Sequence, residues 1–183
     1  MKSNLLFTII LFFTTTYCFG QFSISSGLTV PIGSFANVDE GAANPGYQIA
    51  VSYDIKLNPK YGISTGLLGG ESALKNKPSG LFDQGKWTFA LIEVGAYAIL
   101  FDNLKIKGLI SGGLFGSPAY NFESVLAYSR KNSLGLDLRV EYSFGKLYLG
   151  SSFLYANPEF EIRNRNPIRQ TFSNIAFNVG YIF

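Results

Sequence analysis

The feature that most constrains the fold of this chain is an alternation of apolar and polar side chains with a period of two. It is clearest from Leu134 to Phe144, where every second residue is apolar and the residues between them include Asp137, Arg139 and Glu141. Successive side chains of a β-strand point to opposite faces. This pattern over about ten residues therefore predicts a strand with one apolar and one polar face.

The same alternation recurs along the chain and predicts eight strands. They lie at about residues 22–31, 46–56, 61–70, 87–100, 104–115, 132–144, 146–155 and 172–183. Three connections are short turns, and the other four, which alternate with the turns, are about 14 to 16 residues long. This arrangement is typical of an all-β, eight-stranded antiparallel up-and-down transmembrane β-barrel, with tight periplasmic turns and long external loops.

The fourth predicted strand changes phase along its length. Trp87 and Leu91 follow one alternation, whereas Ile92 and Val94 follow the other. A β-bulge near Leu91 would reconcile the two halves and would place Glu93 on the polar face.

The N-terminus has the features of an export signal. Lys2 precedes a short apolar run at residues 5–13, and small residues stand just before Gln21, as in a secretory signal peptide. The run is too short for a helix that spans a membrane. We therefore expect a cleaved signal peptide at residues 1–20 and one outer-membrane β-barrel domain at residues 21–183.

The composition excludes several classes of protein. The chain is 47% hydrophobic and 16% aromatic, and 15% of its residues are charged, against about 25% in ordinary soluble domains. No apolar stretch of about eighteen residues follows residue 20, so we expect no transmembrane helix. The net charge of +3 is too small to predict a nucleic-acid partner.

The aromatic residues bear on which face of the barrel points outward, because a soluble barrel would show the same alternation with its apolar face inside. They gather near the predicted strand ends, and two such belts are typical of the two water–lipid interfaces of a membrane. The belts comprise Tyr53, Tyr61, Phe101, Tyr142, Phe144, Tyr181 and Phe183 at the periplasmic end, and Tyr47, Trp87, Phe115, Phe153 and Tyr155 at the external end.

The charges on the polar faces balance. An eight-stranded barrel is just wide enough inside for its own side chains, and a lone buried charge costs several kcal/mol. We therefore predict that these charges pair inside the barrel and plug it, with Lys107 near Glu141 and with Arg139 free to reach Asp137 or Glu93. The predicted lumen charge network consists of Asp54, Lys56, Glu93, Lys105, Lys107, Asp137, Arg139 and Glu141.

The last strand ends in an aromatic residue. An aromatic terminal residue with apolar residues at every second position before it is similar to the C-terminal signal that the barrel-insertion machinery recognises. Alternation alone would be expected of any last strand, but it would not require an aromatic at the final position. The predicted insertion signal is Ile175, Phe177, Val179, Tyr181 and Phe183.

At this level the chain resembles the small eight-stranded outer-membrane β-barrel family, akin to OmpX and the OmpA membrane domain. The resemblance is carried by the signal, by residues 27–36 (GLTVPIGSFA), by the restart at Gly46 and Tyr47, and by the last strand to Phe183. It covers the whole mature chain, but as a pattern. It implies a fold and a place in the Gram-negative outer membrane, and it leaves the function open because members of the family differ.

The residues that most often carry chemistry are scarce. The chain contains no histidine, and its one cysteine, Cys18, lies in the predicted signal; a lipid anchor on it is the weaker alternative because a bulky tyrosine precedes it. Without histidine we expect no enzyme activity, no metal site and no cofactor. Asp137 and Glu141 lie about 13 Å apart along one strand with Arg139 between them, which favours salt bridges over a catalytic pair.

Three hypotheses for the function follow. The first is a non-catalytic integral outer-membrane barrel whose long extracellular loops serve surface interaction, envelope integrity or partner docking. The second is a narrow porin-like channel for ions or small solutes. The third is a soluble extracytoplasmic barrel that binds a ligand.

The expected partners are outer-membrane lipid and lipopolysaccharide, the insertion machinery, and a protein bound at the loops or the barrel wall. Arg163, Arg165 and Arg169 lie in the last long loop and could meet lipopolysaccharide phosphate through bidentate contacts. Solvated loop charges are the alternative interpretation of the same three residues.

Overall fold

The computed structural model of the protein describes residues 20–37, 43–74, 82–116, 119–120, 133–160 and 168–183. The predicted signal peptide lies outside these residues apart from Gly20, where the first strand begins, so its cleavage stays a prediction. Within the described ranges no helix is long and apolar enough to cross a membrane.

The described secondary structure consists of long strands, a few two- or three-residue strands and a one-turn helix. In chain order the elements are β1 (Gly20–Pro31), α1 (Ser34–Asn37), β2 (Ala43–Lys56), β3 (Tyr61–Leu74), β4 (Phe82–Gln84), β5 (Lys86–Phe101), β6 (Leu104–Gly116), β7 (Ala119–Tyr120), β8 (Ser133–Phe144), β9 (Leu147–Ala156), β10 (Glu159–Phe160), β11 (Ile168–Arg169) and β12 (Phe172–Ile182).

The eight long strands form a closed antiparallel barrel in the order β1-β12-β9-β8-β6-β5-β3-β2. The barrel closes because β1 pairs with β2 on one side and with β12 on the other. The predicted fold class and strand number are therefore confirmed. The short strands pair outside the barrel wall, β4 with β7 and β10 with β11, and lie in the long connections.

The two ends of the barrel differ. We call the end that carries the turns 57–60, 102–103 and 145–146 the short-turn end, and the opposite end the long-loop end. Gly145 has a φ of 65°, a backbone conformation that glycine adopts without strain and that suits the two-residue hairpin turn between β8 and β9. Both termini of the barrel, Gly20 and Phe183, lie at the short-turn end.

The fourth long strand, β5, shows that the predicted bulge near Leu91 is wrong. Its pairing with β3 runs without a break from Lys86 to Ala98, and the pairing with β6 shifts register between Ile99 and Phe101, beside the turn. Trp87, Phe89, Leu91 and Glu93 therefore all point into the barrel. The sequence pattern misled because the interior near the long-loop end is itself apolar.

The outer face of the barrel is apolar along its length. Leu134 is 71% exposed, Leu28 70% and Phe177 63%, and these side chains lie on three different strands. Charged and amide side chains such as Asp137, Arg139 and Gln48 are buried inside. This distribution is the reverse of that in a soluble barrel, which buries its apolar face.

The predicted aromatic belts are only partly correct. At the short-turn end Tyr61, Phe101 and Phe144 are exposed on the outer face, as predicted. At the long-loop end, Trp87 and Phe115 are almost fully buried inside the barrel instead of lying on its outer rim. They point inward because they share the phase of the lumen-facing residues on their strands.

Candidate functional site in the barrel interior

The barrel interior contains two layers of different chemistry. A polar and charged layer occupies the middle and the short-turn end, and an aromatic layer occupies the long-loop end. The first layer consists of inward-facing residues in the middle of each strand and in the part of the strand close to the short-turn end. The second consists of inward-facing residues from the opposite strand ends, together with Phe35 of α1 and Phe160 of β10.

One half of the charged layer is built around two lysines from β6. Lys105 Nζ lies 2.7 Å and Lys107 Nζ 3.1 Å from the Asp54 carboxylate, and Lys107 Nζ lies 3.2 Å from Glu141. Ser64 Oγ donates a further hydrogen bond of 2.6 Å to Asp54. Two carboxylates and two ammonium groups thus neutralise one another, and Lys107 is fully buried between them.

The other half is built around Arg139 of β8. Its guanidinium donates to Asp137 Oδ2 from Nε at 2.9 Å and from Nη2 at 2.7 Å, and the same Nη2 donates to Glu93 across the lumen. Nη1 reaches Ser52 Oγ on β2 at 3.4 Å. Arg139 therefore ties together three strands that are not neighbours in sequence, which a short side chain could not do.

The structure places seven of the eight predicted charges in this network and excludes one. Lys56 is exposed at the end of β2, beside the turn 57–60, so its assignment to the lumen is wrong. The predicted balance of four acids and four bases is wrong for the same reason. The lumen holds Asp54, Glu93, Asp137 and Glu141 against Lys105, Lys107 and Arg139.

The Lys107–Glu141 contact can be tested by a double-mutant cycle. Glu141→Ala leaves a surplus cation beside Asp54, whereas the double variant with Lys107→Ala leaves Asp54 paired with Lys105. We therefore expect the double variant to be less destabilised than Glu141→Ala alone, with a coupling above about 0.5 kcal/mol in reversible unfolding from lipid vesicles. A parallel cycle of Glu141→Ala with Lys56→Ala should be additive, and the same additivity for the Lys107 cycle would count against the contact.

A neutral part of the polar layer was not predicted from the sequence. Gln48 Nε2 donates to Ser152 Oγ at 3.1 Å and to Asn178 Oδ1 at 3.0 Å, and Asn178 Nδ2 donates to Ser152 at 3.2 Å. A cavity of about 10 Å³ lies beside this cluster and Arg139, which is room for about one water molecule. Sequence alternation did place these side chains inside, but amide partners on distant strands cannot be inferred without the register.

The aromatic layer closes the long-loop end. The Phe172 ring lies 4.3 Å from Phe35, 5.3 Å from Phe89 and 5.2 Å from Phe115 between ring centroids. Trp87 packs between Phe35 and Phe160, at 5.6 and 5.8 Å. We call these six residues the aromatic plug. Each of the six residues is 4% exposed or less.

Phe35 enters the plug from outside the barrel wall. It lies on α1, just after β1, and it is fully buried. Gly33 precedes it with a φ of 60°, and Ser173 Oγ donates to the Ile32 carbonyl at 2.8 Å, so the chain is held as it turns inward. Gly33 and Phe35 belong to the segment 27–36 that carried the resemblance, and in the structure they direct the chain from β1 into the barrel end.

The predicted contact residues outside the lumen are placed only in part. Arg169 is exposed and pairs with Glu159 at 3.1 Å in the β10–β11 hairpin, whereas Arg163 and Arg165 lie outside the described residues. In the predicted insertion signal, Phe177, Val179, Tyr181 and Phe183 are exposed on the outer face and Ile175 is half-buried. Phe183 packs against Phe22 and Tyr181, with ring centroids 5.5 and 5.0 Å away.

The described residues offer little for chemistry. They contain no group of three or more histidine, cysteine or carboxylate side chains that could hold a metal ion. The buried carboxylates are engaged by Arg139 and the lysines rather than presented to a substrate. The arrangement can therefore stabilise and seal a barrel more readily than it can carry out a reaction.

Comparisons with known proteins support the fold. No protein-family profile matches the sequence, and no curated protein matches it significantly. The crystal structure of Ail, the attachment invasion locus protein of Yersinia pestis, is similar with a TM-score of 0.53 at 14% identity, covering 90% of this chain and 99% of that one. The backbone structure of the same outer-membrane protein in a phospholipid bilayer nanodisc gives 0.52 at 14% identity with the same coverage.

A third solved structure, the outer membrane protein OprG from Pseudomonas aeruginosa, has a TM-score of 0.45 at 11% identity and covers 90% of this chain and 96% of its own. At such identities the similarity to Ail is one of fold. The chain has the architecture of the small eight-stranded outer-membrane barrels.

Proposed function

We propose that the chain is an integral outer-membrane barrel with a closed interior, and that it acts through its external surface rather than by catalysis or transport. The observation that carries this proposal is the inverted distribution of side chains. Among the described residues thirty large hydrophobic side chains are exposed, among them Leu67, Ile92 and Leu134, while charged side chains such as Asp137 and Arg139 are buried inside. In water such a surface would be costly, and a lipid bilayer removes that cost.

The orientation follows from the same proposal. Outer-membrane barrels place short turns in the periplasm and long loops outside. The short-turn end, with both termini, would then face the periplasm, and the aromatic plug would face the cell exterior. Tyr142 and Phe144, whose rings lie 4.8 Å apart, would anchor at the periplasmic interface.

The interior argues against the narrow channel. A permeating ion would have to pass the aromatic plug at one end and then displace Arg139 and Lys107 from their carboxylates. The lumen-lining cavity beside Arg139 has a volume of only about 10 Å³. The same tight filling argues against a soluble barrel that holds a ligand in its interior.

Planar-bilayer recording tests the closed interior. We expect the purified, refolded protein to give no stable single-channel steps, because two layers of packed side chains lie in series along the lumen. The control is the same preparation after heat unfolding. It should likewise give no stable steps and only irregular leakage. Reproducible steps of one conductance in the folded sample alone would favour the channel and overturn a closed barrel.

Loop contacts and biogenesis belong to the same proposal. Lipopolysaccharide phosphate fits Arg163, Arg165 and Arg169, of which Arg169 is exposed in the β10–β11 hairpin. The alternating side chains of the last strand point outward and end in Phe183. This pattern suits recognition by the insertion machinery, which reads the last strand of its substrates. A protein partner at the loops or the barrel wall would account for surface interaction, envelope integrity or docking.

A further inference from the structure

Three buried side-chain oxygen atoms without a hydrogen-bond partner belong to neighbouring inward-facing residues on three adjacent strands. They are Glu93 Oε1 on β5, Ser111 Oγ on β6 and Asp137 Oδ1 on β8. All three residues are 1% exposed or less. An unpaired buried polar atom normally costs about 1–3 kcal/mol, so three of them in one place require an explanation.

The strand register places these three residues next to one another on the inner face of the barrel. Glu93 lies directly opposite Ser111, and Ser111 lies opposite Gly135, two residues from Asp137 on the same face. Ser111 leans over β8, because a methyl group built on Gly135 would lie 2.6 Å from Ser111 Oγ. Directly opposed side chains have Cβ atoms about 4.5–5.5 Å apart, and diagonal ones remain within reach of long side chains.

Arg139 fixes the two carboxylates side by side. Its Nη2 atom donates to both Glu93 Oε2 and Asp137 Oδ2, so these two oxygens are within roughly two hydrogen-bond lengths of each other, about 6 Å. The guanidinium thus uses one oxygen of each carboxylate. The second oxygen of each is the one without a partner.

The charge count points to a missing positive charge at this place. Around the lysines, Asp54 and Glu141 are matched by Lys105 and Lys107. Around Arg139, two carboxylates face one guanidinium. If both carboxylates are ionised, one negative charge is uncompensated, which is strongly unfavourable in the interior, so either a proton or a cation must supply one positive charge.

We propose that Glu93 Oε1, Asp137 Oδ1 and Ser111 Oγ bind one monovalent metal cation of the Na⁺ class inside the barrel. Hard cations take oxygen ligands, and two carboxylate oxygens with a hydroxyl form a suitable set that water can complete. One positive charge restores neutrality, whereas a divalent ion would leave a surplus positive charge beside Arg139. The site is distinct from any surface contact and does not depend on whether the loops bind a partner.

The first test measures unfolding of the folded barrel in detergent micelles, in NaCl against N-methyl-D-glucamine chloride at equal ionic strength and fixed pH. We expect Na⁺ to stabilise the wild-type barrel, with the folding equilibrium constant rising about tenfold at ten times the dissociation constant. An equal stability in the two salts would overturn the proposal. A stability that is insensitive to Na⁺ but falls as the pH rises would also overturn it, because a proton would then supply the charge.

Two variants sharpen this test. Glu93→Gln removes the surplus charge, so the variant should fold and lose the Na⁺ dependence. Asp54→Asn is the matched control, since it removes one lumen carboxylate but leaves the three oxygens in place, and it should keep the dependence. If Glu93→Gln fails to fold, Ser111→Ala serves instead, because it removes one ligand without changing any charge and should weaken the response to Na⁺.

Direct detection completes the test. Crystals of the barrel grown with Tl⁺ in place of Na⁺ should show an anomalous scattering peak between Glu93, Ser111 and Asp137. A peak elsewhere in the lumen, or none in the lumen of a crystal that shows Tl⁺ in the solvent, would overturn the assignment of the site.

Discussion

Replacement of Arg139 by methionine is expected to destabilise the folded barrel by about 3–5 kcal/mol, the largest effect among the lumen charges. Methionine keeps much of the length and volume of the side chain, so the loss is mainly one of charge and hydrogen bonds. It would leave Glu93 and Asp137, both 1% exposed or less, without the guanidinium that donates hydrogen bonds to both of them. Reversible urea unfolding in lipid vesicles measures the change.

Two further variants separate this cause from a general sensitivity of the barrel. Lys56→Met removes a lysine that is exposed at the end of β2, and its effect should stay within about 0.5 kcal/mol. Adding Glu93→Gln and Asp137→Asn to Arg139→Met should recover most of the loss, because no buried charge remains unpaired. A loss below about 1 kcal/mol for Arg139→Met would contradict the central position of Arg139 in the network.

Introduction of arginine on the outer face is expected to produce the second large effect. Leu138 lies near the middle of β8 and is 45% exposed, so Leu138→Arg would place a charge at mid-bilayer and cost about 2–4 kcal/mol. Leu147→Arg is the matched control, since this leucine begins β9 beside the turn and is also exposed outward. There the cost should be about 0–1 kcal/mol.

Equal destabilisation of the two variants in bilayers would mean that Leu138 does not face the hydrocarbon core.

Much of the fold was predictable from local chemistry. A period of two over about ten residues specifies a strand with two faces, and the lengths of the connections specify the order of the strands. The lumen charges were predictable for the same reason, because Asp137, Arg139 and Glu141 share one phase on a strand whose other phase is apolar. The predicted contact between Lys107 and Glu141 is present, but it is diagonal, because the register places Glu141 directly opposite Lys105.

The errors have one physical origin, which is that polarity marks the inside of this barrel only over part of its length. Near the long-loop end the interior is aromatic, so Trp87 and Phe115 carried the signature of the outer face. At the short-turn end the strand reaches the barrel rim, so Lys56 has the phase of the lumen-facing residues but is exposed to solvent. Phe35 was not predictable as part of the plug, because it comes from a connection rather than from a strand.

The two layers stabilise the barrel in different ways. The aromatic plug buries large apolar surfaces and closes the loop end, whereas the charged layer makes specific contacts between strands that are far apart in sequence. Buried ion pairs contribute little net stability over an apolar core, but breaking one is costly. The charged layer therefore favours one register of the closed barrel over slipped alternatives, which would leave charges unpaired.

The most direct test of the inverted barrel is fluorescence quenching by lipids that carry bromine at the middle of the acyl chain. The chain has one tryptophan, Trp87, which lies inside the aromatic plug and is fully buried. In bilayers its emission should be barely quenched, whereas a tryptophan placed outward by Leu138→Trp in a Trp87→Phe background should be strongly quenched. Strong quenching of Trp87 together with weak quenching at position 138 would contradict a barrel with a polar, sealed interior and a lipid-facing apolar wall.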